Sequence, residues 1–186
     1  MAVQRVEDRL KRVTAALNAA GVRYAVIGGN AVALWVAKKD PSATRSTVDV
    51  DLLVIKQDLD AVSRVFETLR FERHDLRRLI LFTDPEEPSR RSGVHLVWAG
   101  QKVLPSYAHA APRVEEAIFE AEQGCWVLDL AALVRMKLTS FRDVDRVHIR
   151  DMLGVGLIDD AVRASLPTDL LERLRSIEAS LDEQTH

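Results

Sequence analysis

Asp49 and Asp51 stand two residues apart in Val48-Asp49-Val50-Asp51-Leu52-Leu53-Val54, a run of strand-forming residues. Side chains on a strand alternate, so both carboxylates leave one face. Asp is disfavoured inside strands, and two in one apolar strand call for a cation that offsets their repulsion. Hard oxygen ligands suit Mg²⁺ (or Mn²⁺), held by one or two carboxylates together with substrate phosphates. The plainer reading is a solvated face on an edge strand. Upstream, Gly28-Gly29 breaks the apolar run Tyr24-Ala25-Val26-Ile27. A Gly-Gly turn lets the backbone approach a phosphate, and N–H groups at the start of the next helix, from Asn30 on, extend the cradle. The same pair also suits a tight strand-to-helix turn with no ligand.

Arg45 and Thr47 precede the carboxylates and would share their face on a strand, Arg45 for phosphate and Thr47 to orient a carboxylate or a metal-bound water. Lys137 falls on the apolar stripe Leu130, Leu133, Val134, Leu138 and Phe141. An inward lysine either snorkels at the core rim or reaches an anion in a cleft. His95 lies centrally in Val94-His95-Leu96-Val97-Trp98, opposite in facing to Val94 and Leu96, as a core histidine or as part of the cleft. The charge run from Arg142 to Asp151 reads as a salt-bridged helix face, with Arg150 and Asp151 kept as site candidates and His148 as structural.

These residues need a scaffold. Val6, Leu10, Val13 and Leu17 predict a helix over 4–20 that ends at Gly21. Strands are expected at Tyr24–Ile27, Val48–Ile55, Arg78–Thr83 and Gly93–Trp98, and helices at Asn30–Ala37 and, capped by Asp58, over Leu59, Val62, Phe66 and Leu69. Asp84 to Ser89 is a turn-rich loop, and 114–119 is ambiguous. From Asp129 the chain reads as helical, with elements near 130–141, 144–154 and 168–180. The fold class is α+β: a mixed sheet of four or five strands flanked by helices, residues 1–128 as the core and 129–186 as a helical part packed on it.

The chain has 186 residues, 47% of them hydrophobic, which fits one domain. Its 26 basic and 28 acidic residues leave a net charge of −2, against a broad electrostatic grip on nucleic acid. A local basic rim of Arg73, Arg77, Arg78, Arg90 and Arg91 remains open. The single cysteine, Cys125, sits in an apolar stretch and reads as core in a reducing, cytoplasmic setting. No apolar run approaches the roughly 20 residues of a membrane span, and the N-terminal residues do not read as a signal peptide. Oligomeric state stays open, with Trp35 or Trp98 as interface candidates.

Together, Gly28-Gly29, Arg45, Thr47, Asp49 and Asp51 resemble the nucleotidyltransferase superfamily that includes DNA polymerase beta. Met136-Lys137-Leu138, Arg142 and Arg150-Asp151 make the chain look most like the small bacterial proteins related to the AbiEii toxin group. The resemblance covers roughly residues 20–155. It implies a nucleotidyltransferase-like fold and Mg²⁺-dependent transfer of an NMP from an NTP to a hydroxyl of RNA (such as tRNA), protein or a small molecule, within a possible toxin–antitoxin pairing. Asp49 and Asp51 would hold the metal, Gly28 and Gly29 the phosphates, and Lys137 the triphosphate, with Asp151 assisting. Many active members add a third carboxylate from a later strand. Here His95 stands in that place, as base, as ligand, or as the mark of a reduced activity that only binds nucleotide or a partner. The acidic run Asp84 to Glu87 is the other place to look for a substitute.

Overall fold

Val6, Leu10, Val13 and Leu17 are buried on one side of α1 (Ala2–Ala19), as their spacing requires, in a computed structural model that describes residues 2–77 and 79–182. The chain continues through β1 (Tyr24–Ile27), α2 (Gly28–Ala37), β2 (Val50–Val54), α3 (Leu59–Thr68), β3 (Glu72–Leu76), β4 (Leu79–Thr83), β5 (Val94–Trp98), β6 (Ala117–Glu120) and β7 (Cys125–Leu128). It closes with helices α4 (Leu130–Ser140), α5 (Asp143–Gly154), α6 (Asp160–Ala164) and α7 (Thr168–Asp182). Among the described residues the sheet has seven strands in the order β3-β4-β5-β2-β1-β7-β6. The β2–β5 and β1–β7 pairs are parallel and the rest antiparallel. The fold is thus the expected mixed sheet with flanking helices.

Four details differ from the sequence expectation. The sheet gains β3, β6 and β7. Of these, β3 is a polar edge strand, and β7 is a short run with no alternation to betray it. The carboxylate strand starts at Val50, not Val48, because local side-chain bonds hold the segment before it. The side chain of Asp58 does not cap α3, which instead continues out of a 3-10 turn at Lys56–Asp58. The first turn of α2 includes Gly28 and Gly29 themselves. The predicted strand start at Arg78 lies outside the described residues.

Register sorts the sheet into two faces. Phe82, Val94, Leu96, Val50, Leu52, Val54 and Tyr24 share one. Phe66 of α3 stacks on Phe82 at 4.3 Å, and the Tyr24 hydroxyl donates to the Thr14 carbonyl, so α3 and α1 cover that face. Asp51, His95 and Leu81 belong to the other. Buried apolar residues of α4, α5 and α7, including Leu138, Met152 and Leu174, join one hydrophobic cluster with those of the sheet.

Candidate functional site

β2 and β5 run parallel with Asp51 directly opposite His95. That register puts a carboxylate and an imidazole side by side on one face. His95 Nδ1 lies 3.3 Å from Asp51 Oδ1 and 3.6 Å from Asp49 Oδ2. The ring's other nitrogen, Nε2, lies 3.2 Å from the Arg90 carbonyl. A carbonyl can only accept, so Nε2 donates and Nδ1 faces the carboxylates. The hydrogen bond with Asp51, opposed by burial and helped by the Asp51 charge, raises the His95 pKa above its ordinary value.

Asp49 sits in a bend just outside β2 rather than within it. The Thr47 hydroxyl donates to Asp49 Oδ1 at 2.8 Å, and Asn30 Nδ2 donates to the Asp49 carbonyl at 2.7 Å. The bend therefore takes its shape from α2 and from Thr47, yet Asp49 still meets Asp51 as expected. One ligand atom from each of Asp49, Asp51 and His95 lies within 4.8 Å of the others. Two carboxylates and an imidazole this close, open to solvent, form a donor set that fits a divalent cation.

The glycines are explained by the same geometry. Gly28 adopts φ +68, and a Cβ on it would sit 2.1 Å from Asp51 Oδ2. A Cβ on Gly29 would meet Thr47 Oγ1 at 3.0 Å. The turn is thus pressed against the carboxylate face, and it opens α2, whose first-turn N–H groups have no partner within the helix.

Arg45 leaves the carboxylate pair and bonds Asp151 on α5, Nε to Oδ2 2.7 Å, because its segment is irregular rather than a strand. Arg45 remains largely exposed while Asp151 is mostly covered. Lys137 neither snorkels nor reaches a cleft. It is 5% exposed, and its Nζ donates to Asp145 Oδ1 at 3.0 Å. Asp145 also receives Ser140 Oγ at 2.7 Å and Arg142 Nε at 2.8 Å. Burial pushes the Asp145 carboxyl up, but Arg142, Lys137 and Ser140 outweigh it and hold the pKa at about 2. Sequence reasoning missed Asp145; its place three residues after Arg142, inside a charge run, gave no sign of burial. Arg142, in contrast to Lys137, keeps its side chain 64% exposed, and Asp51 is among the charges acting on it.

Other candidates lie elsewhere. Arg150 Nη2 donates to Ser180 on α7. His148 is neutral, its pKa pushed down to about 4 by burial first and by Lys137 next. Asp84 is buried under Arg9 and Arg12 of α1, and Glu87 also binds Arg9, so this acidic run is spent on structure. Arg73 is bound to Asp75 and Ser63, and Arg78 lies outside the described residues. Cys125 is buried, its thiol pushed up to about 11 by burial. Trp35 and Trp98 are half-buried, and Trp126 is the exposed tryptophan. Among the described residues no helix is long and apolar enough to cross a membrane. A hollow of about 300 Å³ opens beside Thr47, between Asn30 and Leu34 of α2 and Leu10 and Thr14 of α1.

No protein-family model matches the chain, and no curated protein matches it in sequence. Solved structures do match in fold. The solution structure of antibiotic-resistance factor ANT(2'')-Ia is 16% identical with a TM-score of 0.52, over 97% of this chain and 86% of that one. The crystal structure of an antigenic nucleotidyltransferase-like protein from Paracoccidioides brasiliensis is 15% identical with a TM-score of 0.55, over 99% and 90%. At such identities the likeness is one of fold. It agrees with the expected fold and does not single out the AbiEii-related group.

Proposed function

We propose that this chain is a metal-dependent nucleotidyltransferase that moves an NMP from an NTP to a hydroxyl acceptor. The observation that carries the reading is the meeting of Asp49 and Asp51 with the Gly28-Gly29 turn, where a Cβ would collide with Asp51. A backbone this close to a carboxylate pair suits a phosphate beside a cation site. Asp49 and Asp51, with His95 beside them, would hold a divalent ion such as Mg²⁺ or Mn²⁺. When bound, that ion offsets charge on the triphosphate and on the reacting oxygens.

The protein's own part is positioning. Gly28, Gly29 and Asn30 at the start of α2 receive the phosphates. Thr47 fixes the Asp49 carboxylate. Arg45, braced by Asp151, stands as an exposed cation on the approach loop. Arg142 offers a second cation, and Lys137 acts through Asp145, the carboxylate that holds Arg142. The acceptor oxygen attacks the α-phosphorus, the bond from that phosphorus to its bridging oxygen breaks, and pyrophosphate leaves. The acceptor proton passes to the carboxylate pair.

RNA such as tRNA, a protein, or a small molecule each supplies the required hydroxyl. The AbiEii-related reading, with its toxin–antitoxin setting, is supported only by the Lys137, Arg142 and Arg150-Asp151 pattern. A second reading, nucleotide binding without transfer, is favoured by one observation: the β5 residue opposite Asp51 is His95 and not a carboxylate. Calorimetry with ATP, GTP, CTP and UTP, with and without divalent ion, tests the site beside an Asp49→Ala/Asp51→Ala variant. Metal-dependent binding lost in the variant supports the reading, and a labelled-nucleotide acceptor screen then separates transfer from binding. No binding of any NTP under any metal would overturn it.

A further inference from the structure

We propose that Asp49, Asp51 and His95 form a mixed carboxylate–imidazole site that selects Mn²⁺ over Mg²⁺. The inference rests on the nucleotidyltransferase reading above and names the cation it uses. His95 is placed as a ligand is placed. The parallel register of β2 and β5 fixes its Cα opposite that of Asp51. The Arg90 carbonyl anchors Nε2, so the ring does not turn freely and Nδ1 is the nitrogen presented to Asp51 and Asp49. Donation of the second ring nitrogen to a backbone carbonyl is the usual support of a metal-bound imidazole, since it fixes both tautomer and orientation.

The neighbours are set in the same way. Thr47 holds Asp49 Oδ1, leaving Asp49 Oδ2 as the atom nearer His95. Gly28 leaves open the space at Asp51 Oδ2 that any side chain would fill. The three donors, all within 4.8 Å of one another, can occupy adjacent corners of one coordination sphere.

Donor type then decides the ion. Mg²⁺ takes oxygen almost exclusively and holds its waters. Imidazole suits first-row transition ions, and carboxylate and phosphate oxygens suit Mg²⁺, Ca²⁺ and Mn²⁺. Mn²⁺ shares the oxygen preference of Mg²⁺ but, as a first-row transition ion, tolerates a ring nitrogen better, so an imidazole beside two carboxylates would favour it over Mg²⁺. A third carboxylate at position 95 would remove the preference.

The test uses the full chain without an affinity tag. MnCl₂ and MgCl₂ are titrated in the presence of ATP into the wild type, His95→Asp and His95→Ala, and nitrogen modulation is recorded by pulsed electron paramagnetic resonance on the Mn²⁺-loaded wild type. The expected result is imidazole-nitrogen modulation in the wild type that is lost in His95→Ala. The ratio of Mn²⁺ to Mg²⁺ affinity should fall by about tenfold or more in His95→Asp. Mn²⁺ bound without nitrogen modulation, or a ratio equal in wild type and His95→Asp, would refute the selection while leaving the nucleotide site standing. Failure of the wild type to bind either ion with ATP would remove the selection and the function together. The wild-type spectrum needs no variant, so a misfolded substitution does not blunt the test.

Discussion

Two clusters of charge in this molecule have opposite characters. Around Asp145, every charge is answered: Lys137, Arg142 and Ser140 converge on one buried carboxylate. At Asp49 and Asp51, two carboxylates crowd together at the surface with a single imidazole between them. Both clusters join elements that are distant in the fold or turn back on themselves. The first is closed and acts as a fastener between α4 and α5. The second has anionic valence left over, which a saturated cluster lacks. The lesson is that an inward lysine is not by itself a ligand contact; what distinguishes a binding site is charge left unanswered where solvent and ligand can arrive.

The largest effect should come from the open cluster. Asp51→Asn should cut nucleotidyl transfer by about 10³-fold or more and abolish metal-dependent NTP binding, with little change in thermal midpoint. A large loss of stability instead would mean that this carboxylate belongs with the structural kind. The closed cluster should respond in the reverse way. Asp145→Ala strands the Lys137 ammonium in the core and should cost about 3–5 kcal/mol in urea unfolding. The double change Lys137→Met/Asp145→Leu should recover much of that loss, since an apolar pair replaces the ion pair.

Gly28→Ala combines both readouts. Its left-handed backbone and the approach to Asp51 Oδ2 should cost about 1–3 kcal/mol and weaken metal binding as well. Acid titration sharpens the contrast further. His148 has its pKa lowered to about 4 from the ordinary 6.5, so below pH 6.5 the unfolded chain takes a proton that the folded one refuses. Stability should therefore be full above pH 6.5 and fall by roughly 2–3 kcal/mol by pH 4, a slope that His148→Gln should flatten. Asp145 should add a second loss from pH 3.8 downward as its carboxylate protonates. The smallest change is Arg45→Ala. It should leave the melting midpoint in place and raise the NTP dissociation constant by roughly 2–10-fold.

Much of the carboxylate face was legible in the chain. Tyr24–Ile27, Gly28-Gly29, Asp51 and His95 stand where alternation and turn chemistry place them, because a buried strand beside a crowded carboxylate face leaves few choices of residue. Asp49 reached the expected place by another route, a bend held by Thr47 and Asn30, which strand periodicity does not describe. The partners of Lys137 were hidden for a different reason. Residues 137 and 145 meet only because Phe141 turns the backbone left-handed at the end of α4, a conformation unusual for a bulky residue. Strand β3, Glu-Arg-His-Asp-Leu, looks like a loop because its edge position leaves most of it wet. The seating of Asp84 under α1 is a contact between residues far apart in the chain, and no local pattern carries it.

That last contact sets an order of events during synthesis. Arg9 is buried in the finished protein, but its partner Asp84 is added 75 residues later. At typical ribosomal speeds α1 must wait about 4–15 s with a guanidinium on its inner edge before the carboxylate exists. Until then the helix has reason to keep that edge in water. Although α1 is made before β4, it should therefore dock only after it, and a nascent chain whose emerged part stops short of residue 84 should leave α1 open to protease while one whose emerged part includes β4 and its loop should not.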